Sequence, residues 1–320
     1  MAFFDLPVTE LERYHPEVSE PTGFDDFWRR TLPGPGGGPA EFVPYDALLP
    51  NVAVHDVRFP GFADEPVAAW FLTPREVDAP LPTVVHYIGY GGGRGKPHEW
   101  LLWPAAGYAV LVMDTRGQGA GETPDLPGVG PQRVGLMTRG LLDPEQYYYR
   151  RVIADAVRAV DAVKTRPEVD PARIVVAGGS QGGALAQAVA GLRDDVAAAL
   201  IDVPFLTHFR RASEITDAYP YRELADLFQR NRHLVEPAFA TLGFFDGLHF
   251  ASRGTAPALY SVALMDDVCP PSTVYAAFNR YGGRKRLQVW PYNGHESGQT
   301  FQPPVSLAFL RDVLGAGAAH

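Results

Sequence analysis

The feature that most narrows what this chain can become is Ile174-Val175-Val176-Ala177-Gly178-Gly179-Ser180-Gln181-Gly182-Gly183-Ala184-Leu185-Ala186. A β-branched run breaks at glycines around one serine and then turns helical. The Gly178-x-Ser180-x-Gly182 spacing matches a nucleophile elbow, in which serine occupies a strained strand-to-helix turn with its hydroxyl exposed above the sheet. Glycine is needed on either side because a Cβ at Gly178 or Gly182 would strike neighbouring backbone as the chain reverses. The helix that follows turns its unpaired amides and positive dipole end toward negative charge developing at Ser180. A plain glycine-rich turn, or one that binds a phosphate, is the competing reading, and the rest of the chain has to decide.

The rest of the chain supplies an α/β rhythm. From Thr83 onward, short apolar runs alternate with helix-length segments, the pattern of a parallel sheet covered on both faces. The runs are Thr83–Ile88, Ala109–Met113, Ile174–Ala177, Ala198–Val203, Ala258–Met265 and Leu287–Tyr292. Before them, Val52, Val54, Val57 and Phe59, then Val67 to Leu72, predict strands that start the sheet in antiparallel fashion. Thr22-Gly23-Phe24-Asp25 predicts a capping box ahead of Phe27, Trp28 and Leu32. Asp143 as N-cap with Pro144 at the first position predicts a helix whose buried face carries Tyr149, Val152, Ile153, Ala156, Val157, Val160 and Val163. Its start, Tyr147-Tyr148-Tyr149-Arg150-Arg151, reads as packing or interface. Pro33 to Pro39 is a glycine-rich surface connection that separates no domains. We expect a single domain over residues 1–320, with a helical insertion at about residues 204–253 lying over the carboxyl edge of the sheet, where open α/β sheets bind ligands.

Composition limits the partners. The hydrophobic content of 46% supports a large core, and the formal charge of -9 argues against nucleic acid or an anionic membrane surface. No stretch approaches a membrane span. The single cysteine, Cys269, excludes an internal disulfide, and Met1-Ala2-Phe3-Phe4-Asp5-Leu6-Pro7 lacks the basic start and apolar run of a signal peptide. The expectation is a cytoplasmic protein acting on a small neutral substrate.

A serine hydroxyl needs a base, and the base needs an orienting acid. Asp266 closes the run Leu259–Met265, and His295 follows the last predicted strand, so both fall at strand carboxyl ends, as Ser180 does. The order Ser180, Asp266, His295 is that of α/β-hydrolases. Asp202, ending the preceding strand, is the serious rival acid; Asp267 is adjacent to Asp266, and Asp114 reads as a partner of Arg116. His295 is preferred as base over His86, inside a strand, and over His208, His233 and His249 in the insertion. For the oxyanion, the backbone amide of Gln181 directly follows the nucleophile, and that of Tyr90 comes from the loop Gly89-Tyr90-Gly91-Gly92-Gly93-Arg94-Gly95. No Gly-Lys-Ser/Thr follows those glycines, which weakens a phosphate cradle. No His-x-x-x-His or Cys-x-x-Cys spacing suggests a resident metal, and no cofactor is expected.

Several separated segments also resemble one family. Phe3-Phe4-Asp5-Leu6-Pro7, Asp114-Thr115-Arg116-Gly117-Gln118-Gly119, the Ser180 elbow, Leu264-Met265-Asp266 through Cys269-Pro270-Pro271-Ser272-Thr273, and His295-Glu296 resemble carbohydrate esterase family 7, the acetyl xylan esterases or cephalosporin C deacetylases. The resemblance implies removal of acetyl groups from short xylo-oligosaccharides and cephalosporin C, an intracellular location and a homo-oligomer, a hexamer with its active sites facing an internal cavity. It implies Ser180 as nucleophile, His295 as base, Asp266 rather than Asp202 as acid, and the amides of Tyr90 and Gln181 as oxyanion donors. Arg116, Gly117 and Gln118 would support the site, and Glu296 would orient the histidine loop. Two segments bear on surface detail: Pro33–Pro39 departs from the family pattern, and Gly128–Gly135 falls where the family makes subunit contacts. Two other readings stay open, a serine hydrolase of another class on the same fold (a peptidase or a general carboxylesterase) and a ligand-binding protein without catalysis.

Overall fold

A computed structural model describes residues 3–32, 38–125 and 135–315. Residues 33–37 of the glycine-rich connection and 128–134 of the segment ending at Gly135 lie outside the described residues. Among the described residues no helix is long and apolar enough to cross a membrane.

The core is one nine-stranded sheet: β1 (Glu41–Pro44), β2 (Val52–Pro60), β3 (Pro66–Pro74), β4 (Leu81–Tyr87), β5 (Ala109–Met113), β6 (Val169–Gly179), β7 (Ala198–Asp202), β8 (Ala258–Ala263) and β9 (Lys285–Trp290), in the order β1-β2-β3-β5-β4-β6-β7-β8-β9. β1, β2 and β3 pair antiparallel, β3 pairs antiparallel with β5, and every pairing from β5 across to β9 is parallel. The reversal of strand order around β4 and β6 opens a crevice at their carboxyl ends. Ser180 directly follows β6 there.

Period-two alternation divides the central strands between two cores. Val85, Tyr87, Leu111, Val176 and Ile201 face the layer that contains the helices Tyr148–Val163 and Gln181–Leu192. Val84, Val110, Val175 and Leu200 face Trp103, Phe309 and Leu310, the last two on the helix Gln302–Leu314. With both faces covered, β5 is buried along its whole length.

Between β7 and β8 the chain forms the helices Phe209–Ile215, Arg222–Phe228, Val235–Gly243 and Gly247–Arg253. The last packs on Gln181–Leu192 so closely that a Cβ on Gly191 would lie 2.4 Å from the Phe250 carbonyl. It therefore belongs to the layer that covers the sheet. Arg222–Phe228 instead reaches the glycine loop after β4 through Glu223.

Two helix starts differ from expectation. The helix Phe24–Thr31 is preceded by Gly23 in the left-handed region (φ 82°) with no side-chain cap bond, so the capping box at Thr22 does not form. The tyrosine helix begins at Tyr148, not Pro144. Asp143 makes a local turn, its carboxylate accepting from the Glu145 amide, and Gly140 packs so tightly on the Gln146 carbonyl that an added Cβ would sit 2.2 Å away. The turn brings Tyr147, Tyr148 and Tyr149 all into the core, a tertiary gain that outweighs the local helix signal.

Candidate active site

The elbow is strained where the sequence requires it. Ser180 has φ 57° and ψ -118°, a conformation that costs a non-glycine residue on the order of 1–3 kcal/mol. An added Cβ would lie 2.5 Å from Gly182 backbone at Gly178, and 2.1 Å from the Tyr87 carbonyl at Gly182. The Ser180 amide donates to the Asp202 carbonyl (2.9 Å), and its carbonyl accepts from the Phe205 amide (3.0 Å). Gln181 opens the helix, where first-turn amides have no partner within the helix.

Ser180, His295 and Asp266 converge above the sheet from three different connections. His295 Nε2 lies 3.0 Å from Ser180 Oγ, and Nδ1 lies 3.0 Å and 3.2 Å from the two oxygens of Asp266. Asp266 is fully buried and its Oδ1 accepts from the Val268 and Cys269 amides, both at 2.9 Å. Those donors fix the carboxylate, and the carboxylate fixes the ring with its proton on Nδ1. The ring edge facing Ser180 then presents a lone pair, and the ring remains 31% exposed.

The rivals lie elsewhere. Asp202 accepts from Gln302 Nε2 (2.9 Å), and desolvation at the end of β7 pushes its carboxyl up to about 6. Asp267 is exposed. His86 packs on Trp100, and its withdrawal from water lowers it to about 4. His208 lies near Tyr14, His249 packs on Phe24, and His233 is exposed.

A buried polar lattice joins the loop after β4 to the elbow. Gln118 Nε2 donates to Gln181 Oε1 (2.9 Å) and Tyr148 Oη (2.8 Å), while Gln118 Oε1 accepts from the Gly91 amide (2.6 Å). Gln181 Nε2 donates to the Ile88 carbonyl (3.1 Å), and Tyr149 Oη donates to Gln181 Oε1 (3.0 Å). Gln118 thus ties both segments carrying Tyr90 and Gln181 to one helix. Gly117 takes φ 68°, and its amide donates to the Thr123 carbonyl (2.8 Å), closing the turn that holds Gln118 in place.

Arg116 is not paired with Asp114. Its buried guanidinium binds Asp155 bidentately (2.6 Å and 2.8 Å) and also meets Glu65, while Asp114 accepts from the Arg94 amide (2.9 Å). The reason is direction: Asp114 turns toward the glycine loop and Arg116 toward the tyrosine helix. Glu296 folds back on its own loop, accepting from the Gly294 amide (3.1 Å to each oxygen) and from Asn293 Nδ2 (3.1 Å).

Three residues gave no sequence signal for their place here. Glu223 accepts from Tyr90 Oη (2.7 Å) and from the Met137 amide (2.9 Å), across 133 positions of chain in the first case. Arg94 lies 3.9 Å over the Trp70 ring and donates to the Ala69 carbonyl (2.7 Å), pinning the glycine loop. Asp5 accepts from Arg211 Nη2 (2.9 Å) and the Ser272 amide (2.7 Å), bracing the segment that follows Asp266.

Similarity to known proteins agrees with this geometry. The sequence model of the family described as Acetyl xylan esterase (AXE1) matches residues 1–313. The chain belongs to this family. An acetyl xylan esterase from Paenibacillus sp. R4 is 40% identical and superposes with a TM-score of 0.91 over 96% of this chain and 100% of that one. Acetyl xylan esterase 1 from Thermoanaerobacterium sp. JW/SL YS485 is 31% identical, with a TM-score of 0.89 over 98% of this chain and 100% of that one. Acetyl esterase Axe7A of Xylanibacter ruminicola is 33% identical over 163 residues, which are 50% of this chain and 36% of that protein. The match to Axe7A therefore spans about a third of that relative's length. Within the acetyl xylan esterase family, then, this chain carries an α/β-hydrolase sheet with serine, histidine and aspartate in line at its carboxyl edge.

Proposed function

We propose that the chain is a cofactor-free serine esterase that removes acetyl groups from short acetylated xylo-oligosaccharides and related small acetyl esters such as cephalosporin C. The observation that carries this reading is the hydrogen-bonded line from Ser180 through His295 to Asp266 in a chain matched along residues 1–313 by an acetyl xylan esterase family. Ser180 Oγ attacks the acetyl carbonyl carbon as its proton passes to His295 Nε2. The amides of Tyr90 and Gln181 hold the oxyanion, and Asp266 stabilises the imidazolium. His295 returns the proton to the departing alcohol. Water, deprotonated by His295, attacks the acetyl-enzyme and releases acetate and Ser180. Gln118, Gly117 and Arg116 position the oxyanion loop, and Glu296 shapes the turn that carries His295.

The family resemblance also supports a cytoplasmic homo-oligomer, with a hexamer as the expected assembly; light scattering of the eluted full chain tests the assembly directly. The chemistry is tested by acetate release from acetylated xylo-oligosaccharides and an aryl acetate, comparing the native chain with Ser180→Ala. We expect release from both substrates and a fall in kcat of about 10⁴-fold or more in the variant. Activity on the aryl ester alone would overturn the carbohydrate assignment. Equal or better kcat/KM on longer acyl esters would overturn the acetyl preference, and activity surviving in the variant would overturn the nucleophile.

A further inference from the structure

One group beside the proposed relay has no part in hydrolysis. Cys269 is buried three residues after Asp266, beside the line from Ser180 to Asp266. One ligand atom each from Asp266, Cys269 and His295 lie within 4.8 Å of one another. Sulfur, imidazole nitrogen and carboxylate oxygen at this spacing are a three-donor set.

We propose that Asp266, Cys269 and His295 form an inhibitory binding site for a thiophilic divalent cation of the zinc class. Its inhibitory consequence rests on the esterase reading above; the binding does not. Zinc accepts this mixture of donors in tetrahedral coordination, whereas the thiolate selects against magnesium and calcium. The partly exposed His295 ring offers the ion its first contact, and the buried thiol completes the set. When the metal–sulfur bond forms, the Cys269 thiol releases its proton to solvent, and the neutral imidazole and the carboxylate contribute lone pairs. A bound ion takes the histidine and aspartate out of proton transfer, so hydrolysis stops while the fold stays intact. Sequence spacing conceals this arrangement, because Asp266-x-x-Cys269 comes from one turn and His295 from the end of another strand.

The chain has one cysteine, so any thiolate–metal signal belongs to Cys269. The test titrates metal-free full chain with cadmium, following thiolate-to-metal charge-transfer absorption, and with zinc, following aryl acetate hydrolysis. We expect the absorption to saturate at one equivalent of cadmium, and zinc inhibition to reverse on adding a chelator. Cys269→Ser should abolish the absorption and weaken zinc inhibition, measured against its own metal-free rate, by at least about tenfold. His295→Gln leaves the thiol in place and should weaken cadmium affinity by at least about tenfold, a readout that needs no activity. Should Cys269→Ser fail to fold by circular dichroism, Cys269→Ala and His295→Gln carry the test. Absence of the charge-transfer band, or zinc inhibition unchanged without the thiol, overturns the site. A native chain inactive on esters would sink the hydrolase reading, and the cadmium titration would still decide this one.

Discussion

Tyr90, Gln118 and Gln181 are tied together by a buried lattice of side-chain hydrogen bonds that reaches Tyr148, Tyr149 and Glu223. Asp266 and His295 are instead carried on loops, where short-range bonds from the Val268 and Cys269 amides and the Glu296 turn hold them. On the first side buried polar groups fix the backbone of the segments that carry Tyr90 and Gln181, the proposed oxyanion donors. The other side leaves its histidine 31% exposed, as the proposed proton exchange with substrate and water would require. From this difference it follows that activity and stability are coupled on the first side and separable on the second.

The largest expected effect tests the separable side. His295→Ala should lower kcat by about 10⁴-fold or more while leaving the melting temperature nearly unchanged; a large drop in thermal stability would break the contrast. Next, Gln118→Ala removes bonds to Gly91, Gln181 and Tyr148 at once. It should lower kcat by about 10²-fold and cost about 1–3 kcal/mol of stability, so kinetics and a denaturation curve must move together. If only kcat changes, the lattice is not what holds the fold there.

Asp202 gives the second side a pH dependence of its own. It stands opposite Ser261 in the β7–β8 register, and the Ser261 hydroxyl lies 3.0 Å from that of Ser297 in the histidine loop. Its folded-state pKa of about 6 lies above the unfolded value of about 3.9. Between those values the unfolded chain has lost the proton that the folded chain keeps, so this group's contribution to stability falls as pH rises from about 4 to about 6 and is level beyond. Asp202→Asn should therefore melt no higher than the native chain at pH 4 and higher at pH 7; equal differences at both pH values would remove Asp202 as the cause. The smallest effect is expected for Glu296→Ala, whose exposed carboxylate should be worth less than about fivefold in kcat, with KM unchanged.

What was legible in the sequence follows the same division. The elbow, the antiparallel start and parallel remainder of the sheet, and the placement of Ser180, Asp266 and His295 at strand ends are readable because glycine contacts, β-branched runs and strand ends are local signals; the order of the strands in the sheet is not. Gln118 could be named through a motif, but not its partners, since Tyr148 and Gln181 lie 30 and 63 positions away. Glu223 carried no signal at all: a glutamate in an amphipathic helix reads as a solvated charge until the fold sets it against Tyr90. The Asp114–Arg116 pairing went wrong because neighbours along an extended turn point apart. Asp143 went wrong because burial of three tyrosines overrode a sound local cap.

At Gly93 the glycine loop after β4 meets the Gln118 turn backbone to backbone: a Cβ on Gly119, at φ 56°, would sit 2.4 Å from the Gly93 Cα. At that one point no side chain stands between the segments to be enlarged, trimmed or rotated. The loop bearing Tyr90 is consequently a poor place for this protein to diversify, since a side chain added at the seam displaces that loop, and with it the proposed oxyanion donor. New acyl or alcohol preferences have to be acquired through the helices between β7 and β8, where Glu223 already reaches the loop from outside and side chains can change without parting the seam.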